Sequence, residues 1–215
     1  MNNVIFKKYN AKDIIIFFLA VIILLLILNT GHSYDKSYFK GRVVVAFGDS
    51  LTSGVGADDT SDNYVAYLAQ SLGITVINKG KGGDTTTKAL ARIQSDILNL
   101  EPQPTVAIVL LGGNDIFRGI TKETTEQNLK RIVDLIKKDG MKVVLVGLSR
   151  VYFPDYEVMI RNIAFQQGVN YVSAVLDGII NAEELMNDLK HPNADGYKLI
   201  AERIEPTLER VLLEE

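Results

Sequence analysis

Five short apolar runs, Val43–Phe47, Ile74–Asn78, Thr105–Leu111, Lys142–Leu148 and Val169–Ser173, alternate with longer stretches of helical periodicity. Runs this short and this apolar read as strands buried on both faces. The intervening stretches place apolar side chains three and four residues apart: Tyr64, Val65, Leu68 and Leu72, then Leu90, Ile93, Ile97 and Leu100, then Leu129, Ile132, Val133 and Ile136. A fourth helix, Tyr156–Gln167, is closed by Gly168. A last one opens at Pro192 and uses Tyr197, Ile200, Ile204, Leu208 and Val211. Pro206 lies inside it and is expected to kink or split it. Strands alternating with amphipathic helices predict an α/β fold: a three-layer α/β/α sandwich around a five-stranded parallel sheet. With right-handed crossovers the expected strand order is the flavodoxin-like 2-1-3-4-5. That order gathers the loops after the first three strands at one sheet edge, where open α/β sheets bind ligands.

The chain has 215 residues, which is ample for one domain with a full core plus an appendage. It holds 23 basic and 26 acidic residues; setting aside Lys7, Lys8, Lys12 and Asp13 leaves 20 against 25. A mildly acidic domain argues against nucleic acid as a partner. Cysteine is absent, which excludes disulfides, thiolate catalysis and Cys-based zinc sites. Two histidines, His32 and His191, make a multi-His metal site improbable.

Ile14–Leu28 is an unbroken apolar run preceded by three lysines, and no charge appears from Ile14 to Tyr34. We read residues 1–33 as a cytoplasmic tip and one transmembrane signal-anchor helix, 34–41 as a linker, and 42–215 as the domain. The lysines hold the N-terminus inside, so the domain is expected outside the cytoplasm on a single-pass anchor. A cleaved signal peptide is the alternative, with Gly31-His32-Ser33 as a weak cleavage site and a secreted product.

Three loops and one later segment carry residues suited to chemistry. Ser50 follows the first strand in Gly48-Asp49-Ser50-Leu51; it is either a helix cap or a nucleophile. A nucleophilic hydroxyl needs a base, and outside the linker the only histidine is His191. It sits in Asp188-Leu189-Lys190-His191-Pro192, where Asp188 is near enough to orient the imidazole. The same segment is also an ordinary helix start. Acyl transfer needs donors aimed at a developing oxyanion, and the Ser50 N–H, a glycine N–H at Gly83 and the Asn114 side chain are candidates. Each has a plain structural alternative as a turn. The glycines after the first strand fit neither dinucleotide nor P-loop spacing, which disfavours a nucleotide-binding module. An inactive tethered binding domain is disfavoured because every group the chemistry needs is present.

Together, Gly48-Asp49-Ser50-Leu51, Asn78 with Gly83-Asp84-Thr85, Gly112-Gly113-Asn114-Asp115 and Asp188-x-x-His191-Pro192 resemble the successive blocks of the SGNH (GDSL) hydrolases. The likeness runs from Val43 to the C-terminus and is nearest to the thioesterase/lysophospholipase-type bacterial esterases. It implies Ser50 as nucleophile, His191 and Asp188 as its partners, and an oxyanion hole of Ser50 N–H, Gly83 N–H and the Asn114 amide. It also implies no metal and no cofactor. Lys81 departs from the small or apolar residue common in the glycine loop, which leaves Gly82 beside Gly83 as a donor. The expected substrates are acyl esters, thioesters or lysophospholipids, with O-acetylated cell-surface carbohydrate as the alternative. The acyl pocket is expected under Val151–Tyr156 and beside Phe117.

Overall fold

The computed structural model describes residues 36–214, together with Lys12, Ile16, Phe17 and Leu19 in helical conformation. The rest of the expected signal anchor lies outside the described residues. Among the described residues no helix is long and apolar enough to cross a membrane. The chain divides into two units, Met1–Asp35 and Lys36–Glu215.

The second unit contains five strands: β1 (Val43–Gly48), β2 (Thr75–Gly80), β3 (Val106–Leu110), β4 (Lys142–Val146) and β5 (Asn170–Val172). All pair in parallel in the order β2-β1-β3-β4-β5. The expected order is therefore the observed one. β3 is buried along its whole length and β1 over all but its first residue, as strands covered on both faces should be.

The helices are α1 (Ser50–Ser53), α2 (Tyr64–Leu72), α3 (Thr86–Ile93, continued by a π-turn to Leu98), α4 (Gly113–Phe117), α5 (Lys122–Lys138), α6 (Pro154–Gln167) and α7 (Ala194–Leu213). α2 packs with α7 on one face; α3, α5 and α6 pack in sequence on the other. Short polar side chains start them. Asn63 accepts from Val65 and Ala66 N–H, Thr85 from Lys88 N–H, Thr121 from Thr124 N–H and Asn193 from Gly196 N–H. Each such cap is worth about 1 kcal/mol. α5 buries Leu129, Ile132, Val133 and Ile136. Each contributes roughly 1.5–3 kcal/mol of apolar burial.

Two local expectations change. Pro206 does not split the last helix, which runs unbroken from Ala194 to Leu213. Pro206 is exposed, while Ile204 and Leu208 on either side are fully buried, so packing holds the helix through one missing hydrogen bond. The loop expected after β1 begins instead with the one-turn helix α1. In the linker, Lys36–Phe39 forms a 3-10 turn whose Phe39 is buried in the core.

Strand register positions the site. Gly48, the last residue of β1, pairs with Gly80 on one side and Leu110 on the other. Three loops therefore leave the sheet at one level, carrying Ser50, Lys81–Asp84 and Gly112–Asp115.

Candidate active site

Ser50 is not a cap. The cap of α1 is Asp49, whose Oδ1 accepts from Leu51 N–H at 3.1 Å. Ser50 is thus the first residue of the helix, where a backbone N–H has no intrahelical acceptor. Its half-buried hydroxyl faces the His191 ring, with Oγ 3.1 Å from Nε2. His191 Nδ1 lies 2.8 Å from Asp188 Oδ2 and 3.0 Å from Oδ1. A carboxylate only accepts, so Nδ1 carries the hydrogen and Nε2 meets Ser50 with its lone pair. Asp188 Oδ1 also accepts from the Lys190 and His191 N–H groups, at 2.7 and 2.9 Å. These bonds, led by the one to the His191 side chain, hold the Asp188 carboxyl below its usual range.

The segment bearing both residues is a tight bend, closed by Asn187 N–H donating to His191 O at 2.9 Å and by a bridge between Met186 and Pro192. Gly56 supports it from behind. A Cβ there would lie 2.6 Å from Pro192 O and 2.9 Å from His191 Cβ, so only glycine lets the two loops meet.

The two expected oxyanion donors beyond Ser50 are placed differently. Asn114 lines the same cavity as Ser50 and His191; Gly83 does not. Asn114 Nδ2 donates to Asp84 O at 3.0 Å and to Asp49 Oδ2 at 3.2 Å. Gly83 sits one residue before that Asp84 carbonyl, at φ +75°, and its N–H has no acceptor among the described residues. Gly82 has an ordinary φ, so the left-handed position in this loop belongs to Gly83.

Several residues that shape the site have no role that the sequence by itself assigns. Asp49 is 3% exposed, and burial pushes its carboxyl up from 3.8 to about 6. Arg92 on α3 donates from Nε to Asp84 Oδ2 (2.6 Å) and from Nη2 to Gly48 O (2.9 Å). Its Nη1 donates to Lys79 O (3.0 Å) and Asp96 Oδ2 (2.8 Å), while the guanidinium lies 4.4 Å from the centre of the Phe47 ring. One side chain thus ties the ends of β1 and β2 to the glycine loop. Asp115, fully buried, accepts from Thr86 N–H (2.9 Å), Thr86 Oγ1 (2.5 Å) and Thr125 Oγ1 (3.2 Å), fixing the start of α4 against α3 and α5. The only trace of these partners was the Asp-Thr-Thr and Asn-Asp pairs inside the loops.

A cavity of about 270 Å³ opens beside Ser50. Phe117, Leu148, Phe153, Leu176, Ile180 and Leu189 supply its apolar walls, with Tyr152 and Asn181 at one side. Phe117, Tyr152 and Phe153 were expected there. Leu148, Leu176, Ile180 and Leu189 were not, and Val151 and Pro154–Tyr156 do not line it. The arrangement can deprotonate a serine hydroxyl toward a histidine, present it to a carbonyl, and hold an acyl chain in an apolar slot.

Comparison with known proteins agrees with this geometry. Over 183 residues the chain is 31% identical to esterase TesA of Pseudomonas aeruginosa, covering 80% of this chain and 90% of that one. It is 27% identical over 168 residues to thioesterase 1/protease 1/lysophospholipase L1 of Escherichia coli K12, covering 74% and 79% of the two chains. A solved crystal structure of TesA superposes with a TM-score of 0.72 at 30% identity, covering 79% of this chain and 99% of that one. The model of the GDSL-like lipase/acylhydrolase family matches residues 46–199, and the chain belongs to that family of ester- and thioester-cleaving hydrolases.

Proposed function

We propose that the chain cleaves acyl esters or thioesters, such as lysophospholipids or short- to medium-chain acyl esters, through an acyl-enzyme on Ser50. The observation that carries this reading is the relay of Ser50 Oγ, His191 and Asp188 at the mouth of an apolar cavity. His191 takes the Ser50 proton through Nε2 as Oγ attacks the carbonyl carbon. Asp188 stabilises the imidazolium. The Ser50 N–H and the Asn114 amide, both on the cavity wall, stabilise the oxyanion; the Gly83 N–H, which lies off that wall, is the third donor that the family resemblance implies. His191 then protonates the departing alcohol or thiol. Water, deprotonated by the same imidazole, hydrolyses the acyl-enzyme and restores Ser50.

Apolar walls favour an acyl chain over a sugar acetate, whose bulk is polar. The test is labelling with an alkyl phosphonate, followed by turnover of aryl esters of increasing chain length. Label on Ser50, lost in Ser50→Ala, and a rate optimum beyond acetate are expected. Label on Ser53 or Ser149, or a strict preference for acetyl sugars, would refute the reading.

The apolar run Ile14–Leu28 behind Lys7, Lys8 and Lys12 supports a further part of the proposal: a single membrane anchor with the domain outside the cytoplasm. Protease added to cells with an opened outer wall should degrade the domain. Recovery of intact protein in the cytosol would overturn this.

A further inference from the structure

We propose that Tyr197 is a positioning residue for the Ser50–His191 pair, acting through the loop that follows α1. This role rests on the assignment of Ser50 as nucleophile and His191 as base. Tyr197 lies at the start of α7, the helix that follows His191-Pro192. Its side chain is fully buried and does not line the cavity, so it does not touch substrate. Its Oη donates to Val55 O at 2.7 Å. Val55 N–H donates in turn to Ser50 O at 3.0 Å, just past the left-handed Gly54 that ends α1. The contacts close a circuit. It runs from Ser50 O through Val55 to Tyr197, back along the chain to His191, and across to Ser50 Oγ at 3.1 Å.

The two halves of the circuit differ in what holds them. On the α7 side the chain is fixed without Tyr197. Asn193 N–H donates to Leu185 O at 3.0 Å, and its side chain caps the helix. A Cβ on Gly196 would overlap Leu185 O and lie 2.7 Å from Pro192 Cβ, so the helix start is pressed against the His191 bend. Tyr197 and His191 therefore move as one body. On the α1 side, Val55 is 42% exposed and Gly56 has no side chain, so packing by these two residues holds the loop weakly. The Tyr197 bond supplies what packing does not, and it keeps Gly56 seated behind His191 Cβ and Pro192 O. Burial pushes the Tyr197 phenol above its ordinary range, so it remains a donor wherever the hydrolase works. Loss of the bond frees the loop, and with it the distance between Ser50 Oγ and His191 Nε2.

The experiment uses the full chain. Tyr197→Phe keeps the ring that fills the core and removes one oxygen. Tyr156→Phe is the matched control, because Tyr156 Oη donates to Ile120 O at 3.2 Å, a bond of the same kind that touches neither Ser50 nor His191. Alkyl phosphonate labelling of Ser50, turnover of a short aryl ester and melting temperature are measured for each. Misplacement of reacting groups by 1 Å costs ~10²-fold in rate, and Tyr197→Phe should slow labelling and lower kcat about tenfold with KM unchanged. Tyr156→Phe should melt earlier and keep both rates within about twofold. Gly56→Ala disturbs the same loop from its other side and leaves the core tyrosine intact; it should slow labelling at least as much. A Tyr197→Phe enzyme that melts earlier but is labelled at the wild-type rate would overturn the proposal and leave the hydrolase assignment standing. So would a raised KM with unchanged kcat, which would assign Tyr197 to the shape of the cavity. Should Tyr197→Phe not fold, labelling of Gly56→Ala at the wild-type rate would overturn it. Wild-type protein that takes no label on Ser50 would overturn the assignment and the proposal together.

Discussion

Asn114 Nδ2 reaches Asp49 Oδ2 at 3.2 Å and Asp84 O at 3.0 Å, so the amide that should meet an oxyanion is held from two loops at once. The bond to Asp49 is the longer of the two. A donor of this kind contributes mainly in the transition state. Asn114→Ala should lower kcat and kcat/KM together by ~10²–10³ with KM nearly constant. Asn114→Asp should be worse and less stable, because its carboxylate would face Asp49 and the Asp84 carbonyl. Kinetics and melting temperature measured side by side check this. A destabilised Asn114→Ala enzyme with full kcat would remove the residue from the mechanism.

Asp49 should leave a signature in the pH dependence of stability. Its carboxyl is raised from 3.8 to about 6 by burial, against the opposing pull of the Leu51 N–H and His191. A raised folded-state value means the protonated form is favoured by folding. The contribution of Asp49 is therefore greatest below pH 4, declines as pH rises toward 6, and stays lost above it. The size is about 2–3 kcal/mol for a shift of this extent. Asp49→Asn should lack that slope, so the difference in stability between wild type and variant should change by that amount across this pH range. Denaturant titrations from pH 4 to 8 measure it, and parallel curves for the two proteins would count against the assignment.

Asp188→Asn should keep the fold and lose turnover. Asn still accepts at one oxygen, but its NH₂ group can hold the imidazole in the wrong tautomer. By analogy with other serine relays the loss in kcat is ~10³–10⁴. Because Asp188 is bound chiefly by His191 and by two local N–H groups, melting should move little. A loss of less than tenfold would show that Asp188 does not orient the ring.

Arg92 should matter to both stability and rate without touching substrate. Arg92→Met strands Asp84, which is 3% exposed, as a buried carboxylate. Removing one partner of such a pair costs about 3–5 kcal/mol. In a domain of this size that is a drop of roughly 10 °C in melting temperature. Arg92→Lys keeps the charge but not the fork to Gly48 O and Lys79 O, so it should restore part of the stability and less of the phosphonate labelling rate. Equal recovery of both would mean that Arg92 only supports the fold.

Ile180 should set acyl length, since it lines the cavity on a segment with no catalytic group. Ile180→Trp should move the optimum of an aryl-ester series toward shorter chains while acetate turnover stays within a few-fold. An unchanged profile would place the acyl chain elsewhere.

Much of this protein is written locally. Apolar periodicity over a few residues specified the five strands and the buried faces of α2 and α5, because burial on two faces or on one stripe dictates residue type position by position. The caps Asn63, Thr85 and Thr121 are equally local, because a cap acts within three residues. Ser50, His191 and Asp188 could be named because a nucleophile, a base and its partner require those residue types, and the chain offers few histidines. Tertiary structure alone decided the rest. Ser50 and His191 are 141 residues apart, and Asn114 and Asp49 are 65 apart; no local pattern encodes such pairs. The sheet register made Gly48 the meeting point of three loops, and only then did Asp49 become both helix cap and acceptor for Asn114. Nothing local marks Arg92, because its acceptors, Gly48 O and Lys79 O, are backbone atoms that any residue carries. Leu148, Leu176 and Ile180 reach the cavity beside Ser50 only through the way the chain leaves β4 and β5. Long-range geometry chose which of many suitable residues face one another, and that choice is what separates a fold from a site.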